Sequence, residues 1–191
     1  DIEKDEAIER YYVYEKGDVT LATDNISDAI KEANDRLGVV IDSKQQYVWM
    51  RARKNAVSPF ENITANVTDQ GSSSLIRAIS AMLGYNDVSV SVTELINSGE
   101  KGVDILRSNL ADANVLDLQG VDTEEILFYV SQGNPVFAMT GNNDAVIVTG
   151  YTSDGYLYYY NPDTDKTESI SFKDADAMFY SGGYHFITYL K

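Results

Sequence analysis

The chain contains no cysteine, and that absence excludes more than any residue present. Across 191 residues there is no thiol to form a disulfide, to hold a soft metal or to act as a nucleophile. Histidine is almost as scarce. His185 is the only one, so a histidine-built metal site is unavailable and the usual imidazole base of a hydrolase has a single candidate. Basic residues are few, 15 Lys and Arg against 30 Asp and Glu, for a formal charge of −15. A field of that sign repels phosphate backbones and anionic lipid, so neither nucleic acid nor a membrane surface is expected as a partner. Long apolar runs are missing too. The longest are of strand length, far short of the roughly 20 residues a membrane span needs, so no membrane insertion is expected. The chain opens on the acidic stretch DIEKDEAIER, in which no secretion leader is read.

What is present is enough to fold. Hydrophobic residues make up 43% of the chain, which supports a real core in one mid-sized domain with a small appendage. Residues 1–58 read as a small α+β unit of order ββαββ. Tyr11–Tyr14 and Val19–Ala22 are β-rich and flank Lys16-Gly17-Asp18, a hairpin signal. Asn25 or Ser27 can cap a helix whose apolar stripe is Ala29, Ile30, Ala33 and Leu37, with Gly38 expected at its C′ stop. Val39–Ile41 and Tyr47–Met50 form a second strand pair. Arg51, Arg53 and Lys54 followed by Ser58-Pro59 mark the expected junction with a second domain, residues 59–191.

That second stretch changes character. Asp69–Ser74 is a polar loop leading into Leu75–Leu83, a helix apolar nearly all round, expected at the centre of a core and stopped by Gly84. Short helices are expected from Thr93 and from Lys101, and Asp122-Thr123-Glu124-Glu125 is a capping box for Ile126–Val130. Strands then follow at Val136–Thr140, Ala145–Tyr151, Tyr156–Tyr160, Glu168–Ser171 and Tyr184–Leu190, with a short helix near Lys173–Phe179. Helices first and antiparallel strands afterwards indicate an α+β fold, a central helix against a bent antiparallel sheet.

The stretch Gln70 to Tyr85, QGSSSLIRAISAMLGY, resembles the nucleophile loop and central helix of papain-like cysteine peptidases, closest to the bacteriocin-processing (double-glycine) type. A longer match follows: Gly133-Asn134-Pro135-Val136, then Asp144–Tyr151, Gly155–Tyr160 and Asn161-Pro162, and finally Ile170–Lys173. The resemblance implies a papain-like fold over roughly residues 62–191. It places Ser74 at the cysteine position, Asp144 at the histidine position and Asn161 at the orienting third position. Gln70 stands for the glutamine of the oxyanion hole, at a shorter spacing than usual.

The family chemistry depends on a thiolate beside an imidazolium. A serine hydroxyl is a far weaker acid, and an ordinary carboxylate, with a pKa of about 4, is a poor base at neutral pH. Loss of one triad member costs several powers of ten in rate, and here two differ. Each position also has a plain explanation. Ser74 can be an N-cap, Asp144 a turn residue after Asn142-Asn143, and Asn161-Pro162 a turn. The segment Asn161–Asp165 with Glu168 alternates oxygens as a calcium site would, but it lacks the glycine of the helix-loop-helix motif, so no metal and no cofactor is expected. His185 reads as a strand residue.

The expectation is a catalytically inactive papain-like domain that binds an extended peptide or protein segment, in a bacterial secreted or surface protein. Gln70, Ser74, Asp144 and Asn161 would line the cleft. The alternatives are an active serine-type hydrolase or acyltransferase using Ser74, and a purely structural spacer.

Overall fold

The computed structural model describes residues 10–191. The acidic opening stretch lies, but for Arg10, outside the described residues. The chain divides into two compact units, the first running to Arg51 and the second spanning Ala52–Lys191.

The first unit is the expected ββαββ arrangement: β1 (Tyr11–Glu15), β2 (Asp18–Thr23), α1 (Ile26–Arg36), β3 (Val39–Asp42) and β4 (Tyr47–Trp49). Its antiparallel sheet has the order β2-β1-β3-β4. Lys16 and Gly17 close the first hairpin with φ of 51° and 93°, the positive pair that matches strand twist in a two-residue loop. Asn25 caps α1 by accepting from the N–H groups of Ser27 and Asp28. The helix end corrects the expectation for Gly38. The left-handed residue is Leu37, with φ 58°. Gly38 is needed instead for close approach, because a Cβ there would stand 2.5 Å from the Tyr14 carbonyl oxygen.

The second unit holds α2 (Ser74–Tyr85), α3 (Val92–Asn97), α4 (Gly102–Asn109), β5 (Asn114–Asp117), α5 (Leu127–Ser131), β6 (Val136–Met139), β7 (Ala145–Tyr151), β8 (Tyr156–Asn161), β9 (Lys166–Ser171), α6 (Phe172–Ser181) and β10 (Phe186–Leu190). The six strands form one antiparallel sheet in the order β5-β10-β6-β7-β8-β9. Buried Ala78, Ile79, Ala81, Met82 and Leu83 of α2 join Phe137, Ala145, Ile147, Ile187 and Tyr189 of the sheet in one apolar cluster. This is the central helix on a sheet that the apolar run of α2 calls for. The cluster packs α2 against the strands β6, β7 and β10.

Three local details differ from expectation. Ser73 caps α2 and Ser74 is its first helical residue. Gly84 lies inside the helix, which continues to Tyr85. β5 is a strand that its short sequence, Asn-Val-Leu-Asp, does not announce. The expected junction between residues 58 and 59 falls within the second unit. There Val57 exchanges backbone hydrogen bonds with Tyr151, and Phe60 N–H donates to the Thr149 carbonyl. Gly150 permits this approach, since a Cβ would stand 2.5 Å from the Val57 oxygen. Among the described residues, no helix is long and apolar enough to cross a membrane.

Candidate functional site

The first turn of α2 meets the loop that joins β6 to β7. Ser74 Oγ donates to Asp144 Oδ1 at 3.1 Å and accepts from the Ala145 N–H at 3.2 Å. Leu75 N–H, one of the free donors at the helix start, goes to the Asn143 carbonyl at 3.1 Å. Ser74 is 4% exposed, whereas Asp144 is exposed. The loop itself is closed by Thr140 N–H donating to the Asp144 carbonyl at 2.8 Å. The structure therefore brings together the first two of the expected positions, by hydrogen bonds that also stitch helix to sheet.

Asn161 is turned elsewhere. It ends β8, where its amide NH₂ donates to Glu168 Oε1 at 3.1 Å and its Oδ1 accepts from Asp163 N–H at 3.0 Å. The second bond is a local Asx turn, the ordinary use of Asn before Pro. Glu168 also accepts from Thr164 Oγ1 at 2.7 Å and Tyr159 OH at 2.8 Å. These donors, Thr164 first and then Tyr159, hold the Glu168 carboxyl below its usual range. Burial, then the Glu168 bond, pushes the Tyr159 phenol up to about 12. Burial, then the bond to Asp165, does the same to Tyr160. The oxygens that suggested a calcium loop are thus engaged by protein donors: Asp165 Oδ1 accepts from Tyr160 OH at 2.7 Å and from Thr64 Oγ1 at 3.1 Å.

Gln70 is exposed and follows a single 3₁₀ turn, Val67–Asp69. It lines a cleft of about 200 Å³ together with Thr64, Arg77, Tyr160 and the Pro162–Asp165 turn. Ser74 and Asp144 are not among the residues lining that cleft.

Two residues matter here that sequence reasoning passed over. Arg77 joins the two ends of the site: its Nε donates to the Ser72 carbonyl at 2.9 Å, and its two terminal nitrogens reach the Pro162 carbonyl and the Asp163 carboxylate. The signal was available, because Arg77 is the single charge in an apolar helix and had to find partners. Asp69, fully buried, accepts from Val92 N–H at 3.2 Å, Thr93 N–H at 2.8 Å and Thr93 Oγ1 at 2.7 Å. It anchors the loop before Ser74 to the start of α3, and nothing local in the sequence marks it.

His185 lies just before β10. Its Nε2 stands 3.2 Å from Asp117 Oδ1 on β5. That approach misses hydrogen-bond geometry, and neither of these two buried atoms has another hydrogen-bond partner. The nearby imidazole holds the Asp117 carboxyl below its usual range.

No protein-family profile matches the chain. No curated protein matches it either. Among solved structures it is similar to the crystal structure of a protein described as a C39-like peptidase from Bacillus anthracis. The TM-score is 0.55 at 15% identity, over 67% of this chain and 98% of that one. Such a likeness speaks to fold, and the fold is that of a C39-type, papain-like peptidase.

Proposed function

We propose that the papain-like part of the chain is catalytically silent and binds an extended peptide or protein segment, as a module of a bacterial extracytoplasmic protein. The observation that carries this reading is the state of the Ser74 hydroxyl. Its proton points to a carboxylate and its oxygen accepts a backbone N–H, so it serves as a tie between α2 and β7. A nucleophile needs a base matched to its own acidity, and the nearest titratable partner of Ser74 is a carboxylate. The chain has no thiol, and its single imidazole lies beside Asp117, 3.2 Å from that carboxylate, and has no hydrogen bond to Ser74. The cleft beside Gln70 is one place for a ligand, and the exposed Asp144 beside the start of α2 offers a separate polar contact.

Selection from a library of short extended peptides tests this. Enriched peptides should bind the full chain and lose about tenfold in affinity, roughly 1.4 kcal/mol, in Asp144→Lys. Enriched peptides whose binding ignores that charge reversal would instead favour a structural spacer. The Ser74–Asp144 contact also supports a second reading, a serine-type hydrolase or acyltransferase, and labelling by an active-site probe separates the two.

A further inference from the structure

The helix α6 ends in a structure more elaborate than a turn requires. Gly182 packs so closely on β6 that a Cβ would stand 1.9 Å from the Met139 carbonyl oxygen. Tyr184 then adopts a left-handed backbone, φ 50°, which is strained for a bulky residue. Two backbone bonds hold it there: its N–H donates to the Phe179 carbonyl at 2.9 Å, and its own carbonyl accepts from Gly120 N–H at 2.8 Å. The result is a fixed aromatic ring beside Tyr180. The ring centroids are 5.9 Å apart and the planes cross at 72°, so Tyr184 supports Tyr180 edge-on and leaves the latter 72% exposed.

A carboxylate stands next to this pair. Asp176 precedes Tyr180 by one helical turn and so shares its face of α6. Its Oδ1 accepts from Tyr184 OH at 3.1 Å and from Thr123 Oγ1 at 2.9 Å. No hydrogen bond reaches Oδ2, and no ion pair neutralises Asp176, among the described residues. Partial burial, then the hydrogen bond to Asp176, and then the charges of Asp176 and Asp122 push the Tyr184 phenol above its usual range. The ring pair therefore sits in a negative field, on a chain whose formal charge is −15.

We propose that Tyr180, Tyr184 and Asp176 form a docking spot for an arginine side chain of a basic protein partner. A guanidinium suits each element. It stacks flat on an open aromatic face, and it donates to a carboxylate oxygen that has no other donor. The rigid backbone at Tyr184 means that little ordering is required on binding. The negative field speeds encounter with a basic partner and disfavours an acidic one. This inference stands independently of the role of Ser74.

The test is a nuclear magnetic resonance titration of the full chain with the capped tripeptide acetyl-Gly-Arg-Gly-amide and its citrulline twin, which keeps the shape and loses the charge. The arginine peptide should shift the amides around Asp176, Tyr180 and Tyr184, and the citrulline peptide should not. Tyr180→Ala should weaken binding by about threefold to fivefold, and Tyr180→Phe should restore most of it. Because Tyr180 is exposed, neither variant disturbs the core. Shifts scattered over the acidic surface and unchanged in Tyr180→Ala would overturn the proposal. So would equal shifts with the citrulline peptide, or no shifts at this patch.

Discussion

The two ends of the candidate site differ in what they touch. At the Ser74 end the side chain reaches across 70 residues to Asp144, and three hydrogen bonds join the start of α2 to the 143–145 segment. At the Asn161 end the contacts are short in sequence: Asp163, Thr164 and Glu168 close a turn upon themselves. Arg77 spans the gap, bonded to Ser72 on one side and to Pro162 and Asp163 on the other. The difference teaches that these positions are held in two separate ways. Ser74 and Asp144 are held by helix-to-sheet packing, whereas Asn161 is held by turn chemistry. Neither arrangement requires that the three side chains act together.

Removing the bridge should have the largest effect. Arg77→Ala leaves two carbonyls of the loop and the turn without their donor. It should cost about 2–3 kcal/mol in urea unfolding, with little of that from the ion pair because Asp163 is mostly exposed. Arg77→Lys should recover only part, since one ammonium cannot match three separated acceptors. A cost under about 0.5 kcal/mol would mean that the two ends are independent.

The ends themselves should separate next. Ser74→Ala strands the N–H of fully buried Ala145 and should cost about 1–2 kcal/mol. Asn161→Ala loses bonds that water can replace at an exposed turn and should cost about 0.5–1 kcal/mol. Equal costs would erase the distinction drawn between them.

Smallest is the response to pH, which should fall on the Asn161 end. The Glu168 carboxyl is held below its ordinary value of 4.5, so its contribution is present above that pH and lost as the pH falls below it. Tyr159 and Tyr160 titrate near 10 when unfolded and at about 12 in place, so their contribution is full below pH 10 and lost between 10 and about 12. Phenolate absorbance should show a late phase in that upper window that shrinks in Tyr159→Phe and Tyr160→Phe. A titration complete near pH 10 in the folded protein would contradict this.

How much of this was legible in the sequence follows the range of each interaction. The Lys16-Gly17 hairpin, the Asn25 cap and the apolar run of α2 rest on residues a few positions apart, and pattern and turn chemistry suffice for them. β5 depends on β10, some 70 residues later, and its four residues have no periodicity of their own. The junction expected at Pro59 moved earlier because Val57 pairs with Tyr151, which no local signal encodes. Gly38 has the sequence position of a helix stop, but what requires glycine there is the backbone of β1. At the site, the Ser74–Asp144 contact was foreseeable from the family order alone. The diversion of Asn161 to Glu168 was not, because Glu168 joins it only through the register of β8 with β9, which sets Asn161 opposite Lys166.

The central claim is that Ser74 is a structural hydroxyl and not a nucleophile, and a fluorophosphonate probe tests it most directly. Intact-mass measurement of the probed full chain should show no adduct at neutral pH, for the wild type and Ser74→Ala alike. Stoichiometric labelling of the wild type that disappears in Ser74→Ala would contradict the account and make this chain a serine enzyme.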